Sequence, residues 1–301
     1  MPAQKIVPNI WFNSNAEEAG TFYASLFADT TSRVGAYYPA ELPEWQSSFA
    51  GEALTVDVVI DGYLLTLINA GPEFSPNPSI SFMLGFDPQR FDGDEEAARA
   101  RLDQTWDALA EGGTILMPLA EYPFSARYGW VQDRFGVSWQ LLLTPASTEE
   151  SGPFVIPQLM FGAGVANKAR EAAEFYAETV GGEVGFIAEY PEKTGPADAG
   201  SVMFGELQLA GQWFSVMDSA VEQDFSFTCG VSLEVRCKDQ AEIDRLWDAL
   251  SAVPEAEQCG WLADRYGVSW QIVPENMGEL MSRPGAFDRM LEMKKLVIAD
   301  F

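Results

Sequence analysis

Three kinds of polar side chain occupy positions where strand patterns expect apolar ones, and each occurs twice. They are the amides Asn9 and Gln158, the hydroxyls Ser138 and Ser269, and the amides Gln140 and Gln271. A buried amide or hydroxyl must find hydrogen-bond partners, inside the fold or on a ligand. By strand alternation Trp11 shares the face of Asn9 and Met160 that of Gln158, and Phe74 and Phe225 lie on loops able to close the space above them. These ten residues are the predicted ligand-binding set, with rings for packing and amides and hydroxyls for orientation. The chain contains no histidine, which removes the commonest metal ligand and the usual general base near neutral pH. A catalytic transition-metal site needs about three strong donors, and amides bind such ions weakly. No metal and no other cofactor is expected. Proton transfer would fall to a tuned Asp or Glu or to Tyr128, and no catalytic residue is assigned.

The polar strands belong to a repeated block. GWVQDRFGVSWQ at residues 129–140 returns as GWLADRYGVSWQ at residues 260–271, the mark of an internal duplication. The block reads as a β-hairpin, with Asp133 and Gly136 at the first and last positions of its turn. That closure places Trp130 across from Trp139 and Val131 across from Ser138. Alternation sends Val137, Trp139 and Leu141 to one face, and Ser138 and Gln140 to the other. Trp130, Trp139, Trp261 and Trp270 are predicted on the core face, Asp133 and Asp264 as turn acceptors, and Arg134 and Arg265 in surface ion pairs.

The elements that must position this block repeat with it. Residues 5–13 predict a strand, followed by a helix that Ser14 or Asn15 can cap, with Glu17 and Glu18 in its first turn. Ala19, Phe22, Tyr23 and Leu26 give that helix an apolar stripe. Residues 30–38, 53–60 and 63–69 predict strands, the last two joined by Asp61 and Gly62, a strong hairpin signal. A Pro-rich loop at 72–78, a strand at 80–86 and a helix over 94–111 ended by Gly112 and Gly113 lead into the hairpin. Residues 145–152 form a polar connector, and the pattern then restarts: VIPQLMF parallels IVPNIWF, Phe175 and Tyr176 parallel Phe22 and Tyr23, and RLWDAL repeats TWDAL. The second copy has shorter loops by the time it reaches its hairpin. Residues 278–301 have helical spacing and are expected to pack across the other domain.

With 301 residues, the chain has length for two domains, and 47% hydrophobic residues supply two cores. Its net charge of −27 excludes general affinity for nucleic acid or anionic membranes; it suits cation steering or simple solubility. Cys229, Cys237 and Cys259 offer neither a disulfide framework nor a CxxC metal pair, and read as buried free thiols. No apolar run is long enough to span a bilayer and residues 1–9 lack a signal-peptide core, so a cytoplasmic location is expected.

The IVPNIWF and VIPQLMF strands, the helices ending in Phe-Tyr, the LWDAL helix and the CGWLADRYGVSWQIVP block together resemble the PhnB-like proteins. These belong to the vicinal oxygen chelate superfamily, whose relatives include glyoxalase I, extradiol dioxygenases and bleomycin-resistance proteins. The resemblance implies an α+β fold of tandem glyoxalase/bleomycin-resistance-like domains, residues 1–147 and residues 148–301 with a C-terminal helical tail. Each is built from paired βαβββ units forming an incomplete barrel. It further implies an internal pseudo-dimer, expected to be monomeric as a whole. The superfamily's metal ligands transfer to Pro8 or Asn9 and Pro157 or Gln158, to Ser79 and Gly230, and to Gln140 and Gln271. Proline and glycine supply no side-chain donor, so the resemblance points to a metal-free small-molecule binder that sequesters an aromatic or cationic compound. The alternatives are a lyase, isomerase or oxygenase-like enzyme acting on a small oxygenated substrate, and a degenerate structural or regulatory module. Some members carry a demethylubiquinone methyltransferase label. The Gly162-Ala163-Gly164 turn is too weak a match to a methyl-donor loop to support it.

Overall fold

The computed structural model describes residues 4–42, 44–145 and 151–301. The first half gives β1 (Ile6–Phe12), α1 (Ala16–Leu26), β2 (Thr30–Tyr37), β3 (Ala53–Ile60), β4 (Tyr63–Asn69), β5 (Ile80–Phe86), α2 (Glu95–Ala110), β6 (Thr114–Tyr122), β7 (Ser125–Gln132) and β8 (Ser138–Leu143). The second gives β9 (Val155–Phe161), α3 (Ala169–Tyr176), β10 (Gly182–Glu189), β11 (Val202–Leu209), β12 (Gln212–Asp218), β13 (Val231–Cys237), α4 (Gln240–Leu250), β14 (Trp261–Ala263) and β15 (Ser269–Pro274). The short helices α5 (Met277–Met281) and α6 (Ala286–Glu292) complete it. Asp61 and Gly62 both take positive φ, 49° and 79°, as a two-residue hairpin turn demands.

The strands assemble into two mixed sheets, each drawing one unit from each half. Sheet A runs β14-β15-β13-β1-β4-β3-β2, and sheet B runs β10-β11-β12-β9-β5-β8-β7-β6. The seam is made twice in the same way: β1 lies antiparallel to β13 with Asn9 opposite Ser232, and β9 antiparallel to β5 with Gln158 opposite Ser81. The pairing between repeats is therefore met inside one chain. Both sheets are open, since their end strands pair on one side only among the described residues.

Helices α1 to α4 lie between the sheets. Helix α1 packs on β2, β3 and β4 of sheet A, yet its Tyr23 ring meets Trp139 of sheet B edge-on at 5.3 Å. Helix α3 packs on sheet B, and its Tyr176 meets Trp270 of sheet A at 5.3 Å. One continuous apolar core results, holding Ile6, Ile10, Phe82, Trp139, Phe161, Val235 and Trp270 with the inner faces of the helices. The outward faces of the two sheets are left for other work.

Two local expectations change. The cap of α1 comes from across the fold: Asn69 Oδ1 accepts the Ala16 N–H at 3.0 Å, whereas Asn15 holds the cap position without a side-chain bond. The tail, expected across the other domain, packs on its own half. Cys259 N donates to Met293 O at 2.8 Å and Gly260 N to Lys294 O at 2.7 Å, Lys295 pairs with Asp244 at 2.9 Å, and Leu280, Ala286, Leu296 and Phe301 close over Val273. In the first half the corresponding edge, beside Tyr128, is covered by β6. The second half lacks that long strand, and the tail supplies main chain in its place, which shields an otherwise open sheet edge.

Candidate functional site

Alternation along β1, β13 and β15 sends Ile10, Leu233 and Trp270 inward and leaves Asn9, Ser232, Glu234 and Gln271 on the outer face of sheet A. The same rule on β9, β5 and β8 leaves Gln158, Ser81, Met83 and Gln140 on the outer face of sheet B. The predicted residues thus divide by sheet and not by half. Asn9, Trp11, Phe74, Ser269 and Gln271 belong to concavity A, and Ser138, Gln140, Gln158, Met160 and Phe225 to concavity B.

Concavity B is closed by its own side chains. Gln140 Nε2 donates to Ser81 Oγ at 2.8 Å and to Gln158 Oε1, while Gln140 Oε1 accepts the Tyr128 hydroxyl at 2.6 Å. Gln158 Nε2 and Ser215 Oγ both turn to Met83 Sδ, at 3.6 and 3.2 Å, and Trp130 Nε1 donates to Ser138 Oγ at 2.7 Å. Tyr128, Trp130 and Met160 form an apolar lid with Met117, Met217 and Phe225. Burial pushes the Tyr128 hydroxyl well above its ordinary pKa, with nearby Tyr122 adding to the shift. Tyr128 is therefore a hydrogen-bond donor to Gln140, unsuited to act as a base near neutral pH.

Concavity A carries the same scaffold with different occupants. The counterpart of Met83 is Glu234, beside Gln271 on β15, and the counterpart of Tyr128 is Cys259. Glu234 Oε1 accepts Arg236 Nε at 2.7 Å, and Glu234 Oε2 lies 3.5 Å from Asn9 Nδ2. Gln271 Nε2 donates to Ser232 Oγ at 2.9 Å, and Asn9 Nδ2 to Val7 O at 3.0 Å. Thr66 and Asp57, the latter paired with exposed Arg33 at 3.6 Å, continue the polar row across β4 and β3. At the mouth, Trp11 meets Phe74 at 5.1 Å and Trp261 at 6.1 Å, both edge-on. Ser269 lies against Cys229, 3.7 Å away.

The hairpin prediction needs one correction of register. The pairs are Trp130 with Gln140, Val131 with Trp139 and Gln132 with Ser138, so Trp130 shares the outer face with Gln140. Trp139 and Trp270 are core residues, as their place on the inner face predicts, whereas Trp130 and Trp261 sit in the two concavities. The extra residue comes from the turn, which Asp133 N closes on Val137 O at 2.8 Å. Asp133 and Asp264 are the turn acceptors predicted, and they also accept the hydroxyls of Tyr23 and Tyr176. Arg134 and Arg265 lie over aromatic rings, each 4.2 Å from Phe22 and Phe175 respectively; for Arg134 the ion pair, with Glu18, is the looser contact at 3.9 Å.

The strand position facing the concavities is also shifted from the one expected. Ser81 and Ser232 face Gln158 and Asn9, whereas Ser79 and Gly230 precede their strands. Gly230 instead allows a close approach: a Cβ there would lie 2.0 Å from Ser75 O. Replacing Gly230 with Ala is expected to push the 72–78 loop and Phe74 away from β13. The cost is about 1–3 kcal/mol, read as a lower Tm by calorimetry.

Two sheets of this kind, each pairing a βαβββ module from one half with a module from the other that in sheet A is shortened to βαββ, define a tandem glyoxalase/bleomycin-resistance-like protein. The chain belongs to the family described as 3-demethylubiquinone-9 3-methyltransferase, which it matches over residues 4–142 and 153–273. A PhnB protein from Bacillus cereus carrying the same description is 31% identical and is covered completely by 47% of this chain, with a TM-score of 0.38. A Pseudomonas aeruginosa protein of known structure is 26% identical, with 47% of this chain covering 98% of it at a TM-score of 0.37. Glyoxalase I from Zea mays aligns over 95% of this chain and 94% of its own, with 10% identity and a TM-score of 0.51, a likeness of fold. No curated protein matches the chain.

Neither a metal nor a methyl donor fits these residues. The positions that would hold a metal carry Asn9, Thr66, Ser232 and Gln271 in one concavity and Gln158, Ser215, Ser81 and Gln140 in the other. Amides and hydroxyls, with Glu234 the one carboxylate beside them in concavity A and already held by Arg236 Nε at 2.7 Å, make a poor transition-metal set. Among the described residues no three His, Cys, Asp or Glu side chains gather to hold an ion. The turn after β9 is a short 3₁₀ segment at Ala163–Val165, and a Cβ at Gly162 would lie 3.0 Å from the Gln223 side chain. Neither sheet has the alternating parallel βα order in which such turns cradle a cofactor. Among the described residues no helix is long and apolar enough to cross a membrane.

Proposed function

We propose that this protein binds a small aromatic compound in concavity A without a metal, and that concavity B is a closed copy of the same site. The observation that carries this reading is the divergence of the copies. In B, Tyr128, Met83 and the β6–β7 hairpin satisfy and cover the polar residues. In A, their counterparts are Cys259, Glu234 and the short β14, and the half-buried rings of Trp11 and Trp261 stand at the mouth. Edge-on rings of this kind receive a flat ligand by stacking or cation–π contact. The net charge of −27 favours ligands that are themselves cationic.

Titration with proflavine, a planar aromatic cation, while following tryptophan fluorescence, tests the assignment. One saturable site per chain is expected, unaffected by EDTA and weakened at least tenfold by Trp261→Ala. Two equivalent sites, loss of binding with chelator, or no quenching at all would each contradict it.

A further inference from the structure

We infer that concavity A recognises a primary ammonium group through three oxygen acceptors: Asn9 Oδ1, Gln271 Oε1 and Glu234 Oε2. The inference rests on the proposed ligand site and names the chemistry of its ligand. Asn9 and Gln271 are 2% and 7% exposed, yet each spends only its amide nitrogen: Asn9 Nδ2 on Val7 O and Glu234, Gln271 Nε2 on Ser232. Their oxygens accept no hydrogen bond from a described side chain or backbone group. In concavity B the oxygen equivalent to Gln271 Oε1 is taken by the Tyr128 hydroxyl and that equivalent to Asn9 Oδ1 by Gln140. The second half has Cys259 where Tyr128 would stand, so the acceptor is released.

The three residues that carry these acceptors are neighbours. Glu234 and Gln271 are lateral partners on β13 and β15, and Glu234 Oε2 is 3.5 Å from the Asn9 amide. Arg236 Nε holds the other carboxylate oxygen at 2.7 Å, which fixes the carboxylate and leaves Oε2 turned to Asn9. A cluster of acceptors with one anionic member calls for a donor-only, positively charged partner. An ammonium has three N–H donors and no acceptor, whereas a calcium ion needs six to eight oxygens. An acceptor covered by a ligand that cannot pair with it is costly, so a ligand that fills all three gains selectivity over one that only covers them. Beside this tripod, Trp11, Trp261 and Phe74 offer a shelf for the aryl body. The structure thus fits an arylalkyl primary amine.

Calorimetric titration of the full chain with 2-phenylethylamine and with its trimethylammonium analogue separates the tripod from the shelf. Both are cations with the same ring, and only the first has N–H donors. The amine is expected to bind at least tenfold tighter. Glu234→Gln is expected to cost the amine at least tenfold and the analogue less than twofold, and Gln271→Leu serves as the second variant should Glu234→Gln not fold. Equal affinities for the two cations would overturn the tripod while leaving the aromatic site standing. Binding of neither, with proflavine also silent, would overturn both.

Discussion

Replacing Asp133 with Ala is expected to cost on the order of 5 kcal/mol, because one carboxylate satisfies four donors that nothing else can reach. Asp133 Oδ2 accepts the Tyr23 hydroxyl at 2.7 Å and Trp139 Nε1 at 2.9 Å, and Oδ1 accepts the Phe135 and Val137 amides at 2.8 and 3.0 Å. Asp264 does the same for Tyr176, Trp270, Tyr266 and Val268, at 2.7, 2.9, 2.8 and 3.0 Å. Burial pushes both carboxyls above the usual range, and the four donors pull each back. Truncation removes the charge but strands a phenol, an indole N–H and two amides, each costing about 1–3 kcal/mol when buried unpaired. Set against a total stability of about 5–15 kcal/mol, this is a large fraction. Urea unfolding should show it directly. Tyr23→Phe alone should cost about 1 kcal/mol and should add little to Asp133→Ala, since its partner is already gone. Full additivity, or a loss under 1 kcal/mol for Asp133→Ala, would show that the carboxylate is a turn acceptor only.

That result bears on what a sequence can disclose. The turn role of Asp133 was readable because a turn is local: Asp and Gly at its ends have their own backbone chemistry. Its link to Tyr23 crosses 110 residues and no spacing rule predicts it, although the repeat of Tyr23 with Asp133 as Tyr176 with Asp264 was a usable sign. Strand bounds such as residues 53–60, 63–69 and 80–86 were legible to the residue because alternation and turn residues agree there. The one-residue error in the hairpin moved Trp130 and Trp261 to the wrong face, since strand side chains alternate with period two. Glu234 and Tyr128 escaped as a contrasting pair for a different reason. Their meaning lies in the comparison of two concavities whose walls come from distant stretches of chain. The aligned repeats show Met83 against Glu234 and Tyr128 against Cys259, and that contrast was the available signal.

Separating the halves between residues 147 and 148 should abolish the monomeric fold of each. Strands β1 and β13 pair over five residues, as do β9 and β5, and both seams join one half to the other. Alone, the first half would carry β1 and β5 with one side of each unpaired, and the core spanning Ile6, Phe82, Leu233 and Trp270 would be opened. Unpaired strand edges over exposed apolar surface associate. Each half is therefore expected to sediment as a homodimer, the two copies pairing β1 with β5 in the first half and β9 with β13 in the second, or to precipitate. Mixed or co-expressed, the halves should form a 1:1 complex that regains single-site proflavine binding, because concavity A needs Asn9 and Trp11 from one half and Glu234, Trp261 and Gln271 from the other. If the first half stays a folded monomer with a cooperative transition at the full-length Tm, the seams are not what holds the sheets together. The residue 1–147 and 148–301 boundary would then mark two independently folding bodies. Binding by either half alone would go further and place the ligand away from the β1–β13 seam.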